Sequence, residues 1–265
     1  MASNSNPRVE ASLLIDSDPS PVVTVNPGGR SPFLVIGDHA GNVIPLSLGM
    51  MEIDSRDLCR HIAWDIGVAG LGLALAERLD AVFIRQTYSR LVIDCNRAPG
   101  SVDAMPAVSD GTIVPANAAL TPEDRTARID AIHVPYHRAI ADELARRDRE
   151  GQASILVALH SFTPAMSGGP ARPWHAGILH DGGDPSFALA LLTALRREAD
   201  LVVGDNEPYR MDQVDYTLPL HAYPLRRLYA EIEIRQDLLA DEQGQRRWAS
   251  ILERCLLAAS ATEEG

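Results

Sequence analysis

Two short apolar runs, PFLVIG at 32–37 and SILVALH at 154–160, constrain this chain more than any other feature. Neither alternates polar with apolar residues, so a strand built from either must be covered on both faces, as in a sheet sandwiched between helices. The intervening sequence supplies those helices. Leu58, Ile62, Ile66, Leu71, Leu75 and Leu79 recur near helical spacing behind Asp54 or Ser55 as N-cap, which predicts a helix over 55–79. Thr121 and Pro122 open a second helix reaching about 149, with a kink at Pro135. Strands are expected over 81–88, 91–95, 176–180, 201–203 and 228–234, and helices over 185–198 and 241–259. Strands alternating with helices of this length define an α/β fold with a mainly parallel sheet.

Residues 1–31, rich in Ser, Pro and Asn, read as an extended N-terminal segment, and 32–265 as one domain, because no repeat or low-complexity linker divides them. The stretch 99–120 is too long for an ordinary connection and reads as a functional loop or a lid. No run approaches the roughly 18 apolar residues that span a bilayer, and the N-terminus lacks a basic stretch leading into an apolar one. Three cysteines without a CxxC spacing fit a reducing compartment, so the chain is read as cytoplasmic with no membrane partner. The formal charge is −12, and all 24 basic residues are Arg. That balance disfavours polyanions, so nucleic acid is not an expected partner, and the lack of Lys excludes Schiff-base and Walker-type chemistry. Oligomeric state is left open.

The chemistry-bearing residues gather at strand ends. His39 follows the first apolar run inside DHAGN, and His160 closes the second; in a parallel sheet both lie at its C-terminal edge, where ligands bind. Taken alone, His39 reads as a surface residue capping a turn, and only its convergence with His160 favours a metal. His61 and Asp65, four apart on the expected helix, share a face, which suits either zinc or a local hydrogen bond. His133 and His137 have the same spacing, but Val134 stands where HExxH needs Glu; His133 reads as structural, and His137 as structural or site-lining. In YSRLVIDCNR, at 88–97, Arg90 and Arg97 are guanidinium forks suited to carboxylates, although Arg90 has Asp94 as an alternative partner. Glu231 and Glu233 share one face of an otherwise apolar strand. Burial there would tune one of them as a general base, unless the strand is an edge with a solvated face.

Together GDHAGNVIP, RHIAWDIG, YSRLVIDCNR, PYHRAI, ALHSFTP, RPWHAGILH, GDNEPY and EIEIRQDLL resemble the N-formylglutamate amidohydrolase family, over about 32–240. The resemblance implies a three-layer α/β/α fold with a mainly parallel mixed sheet of the zinc-peptidase-like (phosphorylase/hydrolase-like) kind. It also implies hydrolysis of N-formyl-L-glutamate to formate and L-glutamate, with one zinc ion per chain and a small acidic N-acyl amino acid as substrate. The alternatives are a deacylase of another N-acyl amino acid or formylated peptide, and a non-catalytic carboxylate-binding homologue. The family pattern makes His39 and His160 metal ligands and Glu233 the base, with Arg90 a cation beside the reacting carbonyl. Asn96, Arg97, Arg172 and His175 fall to substrate binding. Zinc carboxypeptidases take a further ligand from a Glu three residues after the first His, where this chain has Asn42. The missing carboxylate is assigned to Asp65, with His61 as its substitute.

Overall fold

The two apolar runs become adjacent central strands, and every residue in both strands is buried. The computed structural model describes residues 12–211 and 215–263. Its strands are β1 (Val22–Val25), β2 (Phe33–Gly37), β3 (Val82–Gln86), β4 (Val108–Ser109), β5 (Thr112–Ile113), β6 (Ile155–Phe162), β7 (Ala176–Leu179), β8 (Val203–Asp205) and β9 (Tyr229–Arg235). Its helices are α1 (Val68–Leu79), α2 (Pro115–Ala118), α3 (Pro122–Arg128), α4 (Val134–Glu150), α5 (Ser186–Leu195), α6 (Thr217–His221) and α7 (Glu242–Glu263). Seven strands form one sheet in the order β1-β3-β2-β6-β9-β7-β8, and β4 with β5 makes a separate small hairpin. The pairs β2–β3, β2–β6, β6–β9 and β7–β8 are parallel; β1–β3 and β7–β9 are antiparallel. The sheet is therefore mixed and mostly parallel, as expected.

Alternation within the buried strands divides the core in two. Phe33, Val35, Val157, Leu159 and Ile232 point to the face covered by α1, α5 and α7. Leu34, Ile36, Leu156 and Ala158 point to the opposite face, under α4 and the long loops. Each such side chain contributes roughly 1.5–3 kcal/mol when fully buried, so a one-residue register slip would invert both faces at once. The layers are thus helices, sheet, and helices with loops.

Several expectations are corrected. The helix foreseen over 55–79 begins only at Val68, behind Gly67 at φ 85°, a left-handed conformation that favours glycine. Before it the chain makes only a short 3-10 turn, Asp57–Cys59, and then bonds outward: Asp65 N–H donates to His39 O (2.8 Å), and Arg90 N–H to Ala63 O (3.0 Å). His61 and Asp65 consequently lie on a loop. The strand expected over 91–95 is a buried turn, in which Val92 N–H reaches Ser89 O and Asp94 N–H reaches Ala104 O. Residues 22–25, read within the extended N-terminal segment, pair with β3 at the sheet edge. Pro135 ends a π-helical stretch, Ile129–His133, between α3 and α4, because proline offers no N–H to the preceding turn. The 99–120 loop carries the β4–β5 hairpin and α2, and it is tied down by buried Arg128, whose guanidinium donates to Val92 O and Asn117 Oδ1.

Candidate metal centre and active site

The parallel strands β2, β6 and β9 all deliver residues to the same sheet edge. Asp38 and His39 leave the end of β2, His160 sits near the end of β6, and Glu233 lies opposite His160 in the β6–β9 register. One nitrogen of each imidazole and an oxygen of Asp65 lie within 4.8 Å of one another, and all three residues are buried. Asp65 Oδ2 is 3.0 Å from His160 Nδ1 and 3.5 Å from His39 Nδ1. The opposite nitrogens face other carboxylates: His39 Nε2 is 2.7 Å from Asp94 Oδ1, and His160 Nε2 is 3.5 Å from Asp38 Oδ2.

This electrostatic setting suits a cation. Burial and the Arg90 charge oppose protonation of His39, but Asp94 and Asp65 outweigh them and raise its pKa. Burial likewise opposes a proton on His160, yet Asp38 and Asp65 push its pKa well above the ordinary value. Asp38 and Asp65 are held low, since the neighbouring imidazoles overcome the cost of burial. A divalent ion can take the place of protons in such a nest. His39 Nδ1 is a buried nitrogen with no hydrogen-bond partner among the described residues, directed toward the Asp65 side. Imidazole, imidazole and carboxylate form a zinc-type donor set, and a carboxylate behind each imidazole is the usual way of fixing the ring and its tautomer. The residues present fit the metal.

The three groups open onto a cavity of about 450 Å³, also lined by Glu231, Glu233, Arg90, Asn96, Arg97 and Tyr209. Burial pushes the Glu233 carboxyl up to about 7, with Asp65 adding to the rise while His160 and Arg90 oppose it. Burial raises Glu231 further, helped by Asp215. Arg90 forks onto Asp94 Oδ2 through Nε (3.0 Å) and Nη2 (2.6 Å), and its Nη1 is 3.5 Å from Asp65 Oδ1. It therefore braces the nest while lining the cavity. Asn96 Nδ2 and Arg97 Nη1 both donate to Asp215 Oδ1, each at 3.2 Å, so this pair already grips a carboxylate.

A search with the family's sequence pattern matches residues 31–240, most of the chain. The chain belongs to the N-formylglutamate amidohydrolase family. A gene product of Agrobacterium tumefaciens with a solved structure is 35% identical, covers 96% of this chain and 100% of its own, and superimposes with a TM-score of 0.92. The N-formylglutamate amidohydrolase of Ralstonia eutropha JMP134 shares the fold at 21% identity, with a TM-score of 0.63 over 92% of this chain and 97% of that one. The N-formylglutamate deformylase of Pseudomonas aeruginosa is 27% identical over 174 residues, 61% of this chain, and the match spans 59% of that protein's length.

Within this family member, not every expected site residue reaches the cavity. His61 lines the cavity but turns toward Asp110 Oδ2, 3.4 Å away, and is not part of the three-residue cluster. Arg172 and His175 are not among the cavity-lining residues. Arg172 Nη1 donates to Thr163 O and Tyr209 Oη, and His175 Nδ1 accepts from Val202 N–H between β7 and β8. Sequence reasoning gave no site role to Asp38, Asp215 and Tyr209, and took Asp94 only as an alternative partner for Arg90, a pairing that the structure contains. The acids at 38 and 94 had a usable signal, since each stands in the same polar string as a candidate residue. Tyr209 had none beyond its place in the GDNEPY string and Asp215 had none at all, because distant loops bring them to the site.

Proposed function

We propose that this chain is a metal-dependent amidohydrolase that cleaves the formyl amide of N-formyl-L-glutamate to formate and L-glutamate. In this reading residues 32–265 act as one catalytic domain, and one zinc ion per chain is held by His39, Asp65 and His160. The observation that carries it is the convergence of two strand-end imidazoles and Asp65 beside a buried glutamate with a raised pKa. When bound, such an ion supplies a Lewis acid and lowers the pKa of water toward about 7.

The chain's own groups do the rest. Glu233 takes the proton from the attacking water and returns it to the leaving nitrogen; a carboxyl near 7 exchanges protons readily at neutral pH. Arg90, rigidly forked on Asp94, keeps positive charge beside the carbonyl oxygen as it becomes anionic. Asn96 and Arg97 exchange the Asp215 carboxylate for one of the substrate's, which lets an acidic protein accept an acidic ligand by contact. Arg172 and His175 stay outside direct contact in this reading. Cys59, Cys95 and Cys255 are free thiols, in keeping with a cytoplasmic setting.

Formate release from N-formyl-L-glutamate, N-formyl-L-glutamine and N-formyl-L-methionine tests the assignment. We expect kcat/KM to favour the glutamate compound by about 10²-fold or more, because donors built for a carboxylate reject ligands lacking it. Equal values would favour a broad deacylase, and no release from any compound would favour a binding homologue.

A further inference from the structure

The GDNEPY string does not enter the metal nest, yet the fold places it with care. Asn206 N–H donates to Ile178 O (3.0 Å), and Asn206 Oδ1 accepts from His180 N–H (2.9 Å), which pins the turn to the end of β7. Behind it, a Cβ on Gly177 would lie 1.8 Å from Glu207 O, so only glycine allows this approach. The turn ends at Tyr209, which lines the cavity. Arg172 holds it twice over: Nη1 donates to Tyr209 Oη at 3.0 Å, and the guanidinium carbon stands 4.8 Å from the centre of the phenol ring. Arg172 is itself fixed through Thr163 O (3.1 Å) just beyond β6.

This arrangement determines what the phenol can offer. With Arg172 donating to Oη, the phenol's own hydrogen is left to be given elsewhere, and a cationic donor on the oxygen makes that hydrogen a stronger one. Tyr209 lines the same cavity as Glu233, Arg90 and the three residues of the metal nest, which places the phenol on the wall of the chamber where the acyl group would sit. Tyr209 is 39% exposed overall, and partial desolvation with the Glu233 charge raises its pKa above the ordinary value, so the hydroxyl keeps its proton at neutral pH.

We infer that Tyr209 is a catalytic hydrogen-bond donor to the acyl oxygen of the substrate, and that Arg172 is its positioning residue rather than a substrate ligand. The phenol keeps its proton throughout; the hydrogen bond shortens as negative charge develops on the acyl oxygen. This inference rests on the amidohydrolase reading, and wild-type turnover of N-formyl-L-glutamate is the control that separates the two. Without wild-type turnover, the reading of function fails before the phenol is tested.

The experiment is a double-mutant cycle on metal-loaded protein, with metal content and thermal melting checked for each variant. Tyr209→Phe is expected to lower kcat by about 10- to 100-fold, the size of one lost hydrogen bond to a charged acceptor, with KM within about threefold. Arg172→Met is expected to lower kcat by about fivefold or more alone and by less than twofold in the Tyr209→Phe background, because a positioning residue acts only through its phenol. Arg172→Lys, which can still donate to Oη, should recover part of the loss, and it replaces Arg172→Met in the cycle if the methionine variant fails to fold. An unchanged kcat in Tyr209→Phe overturns the inference, as does a change confined to KM. Multiplying effects of Tyr209→Phe and Arg172→Met overturn the positioning role.

Discussion

His39 and His160 stand among Asp38, Asp65 and Asp94, whereas His133, His137 and His221 are bonded to carbonyls and to one another. In the second group His137 Nε2 donates to Cys95 O (2.9 Å), so its Nδ1 accepts from His221 Nε2–H at 3.0 Å, and His133 Nε2 donates to Arg97 O (3.0 Å). Burial lowers all three, His137 to about 3 and His221 to about 4. His39, His160, His133 and His137 are buried and His221 is half-buried, yet the two clusters titrate in opposite directions, because carboxylates outweigh desolvation in one and nothing comparable offsets it in the other. The difference separates a site suited to a cation from a neutral scaffold. The neutral group grips the carbonyls on either side of Asn96 and so fixes the turn that presents Asn96 and Arg97 to the cavity.

Removing the metal should divide the clusters most sharply. Chelation is expected to abolish formate release, by about 10³-fold or more, and stoichiometric zinc to restore it. Full activity in metal-free protein would erase the distinction. Next in size, Glu233→Gln should lower kcat by about 10²-fold or more with metal content intact, since it keeps the shape and removes the proton acceptor. Glu231→Gln is the control; a severe effect there with a silent Glu233→Gln would reverse the roles of the two strand carboxylates. Arg97→Lys keeps the charge but loses the fork, and should reduce kcat/KM by about 10-fold while the metal stays bound.

The smallest effect belongs to the neutral group and is one of pH. In the unfolded chain a histidine titrates near 6.5, while folded His137 and His221 stay neutral down to about 3 and 4. Between those limits the unfolded state binds more protons, so this contribution is complete above about pH 6.5 and is lost as the pH falls toward 4. His137→Gln should lower Tm at pH 7 by about 3–8 °C through the lost buried hydrogen bonds. It should also flatten the fall of Tm between pH 7 and 5. A variant with the wild-type slope would show that His137 is not the neutral partner in this range.

The legible and illegible parts of the molecule follow the same physical division. His39 and His160 were readable because a parallel sheet brings its C-terminal strand ends together, and the Glu231/Glu233 pair because a strand has a period of two, while the choice of Glu233 came from the resemblance. Asp65 was first singled out by its spacing from His61 and then chosen as ligand through the resemblance and the departure at Asn42, but the helix expected to carry it starts only after it, at Val68. Local periodicity over 55–66 looked helical, but only a 3-10 turn forms at Asp57–Cys59, and the backbone of Ala63 and Asp65 is bonded to Arg90 and His39, partners that sequence spacing cannot show. Leu91, Val92 and Ile93 are buried as their apolarity suggested, yet in a turn, since burial alone does not choose between strand and turn. The carboxylates behind each imidazole, and the Asp215 and Tyr209 contacts, depend on loop geometry rather than on any periodic signal.

Metal content measured side by side in wild type, His39→Ala and His137→Ala tests the central claim most directly. After loading with zinc and removal of unbound ion, the account predicts about one ion per chain in wild type and in His137→Ala, and a large loss in His39→Ala. Stoichiometric zinc in His39→Ala, or its loss in a folded His137→Ala, would contradict the assignment of the metal to His39, Asp65 and His160.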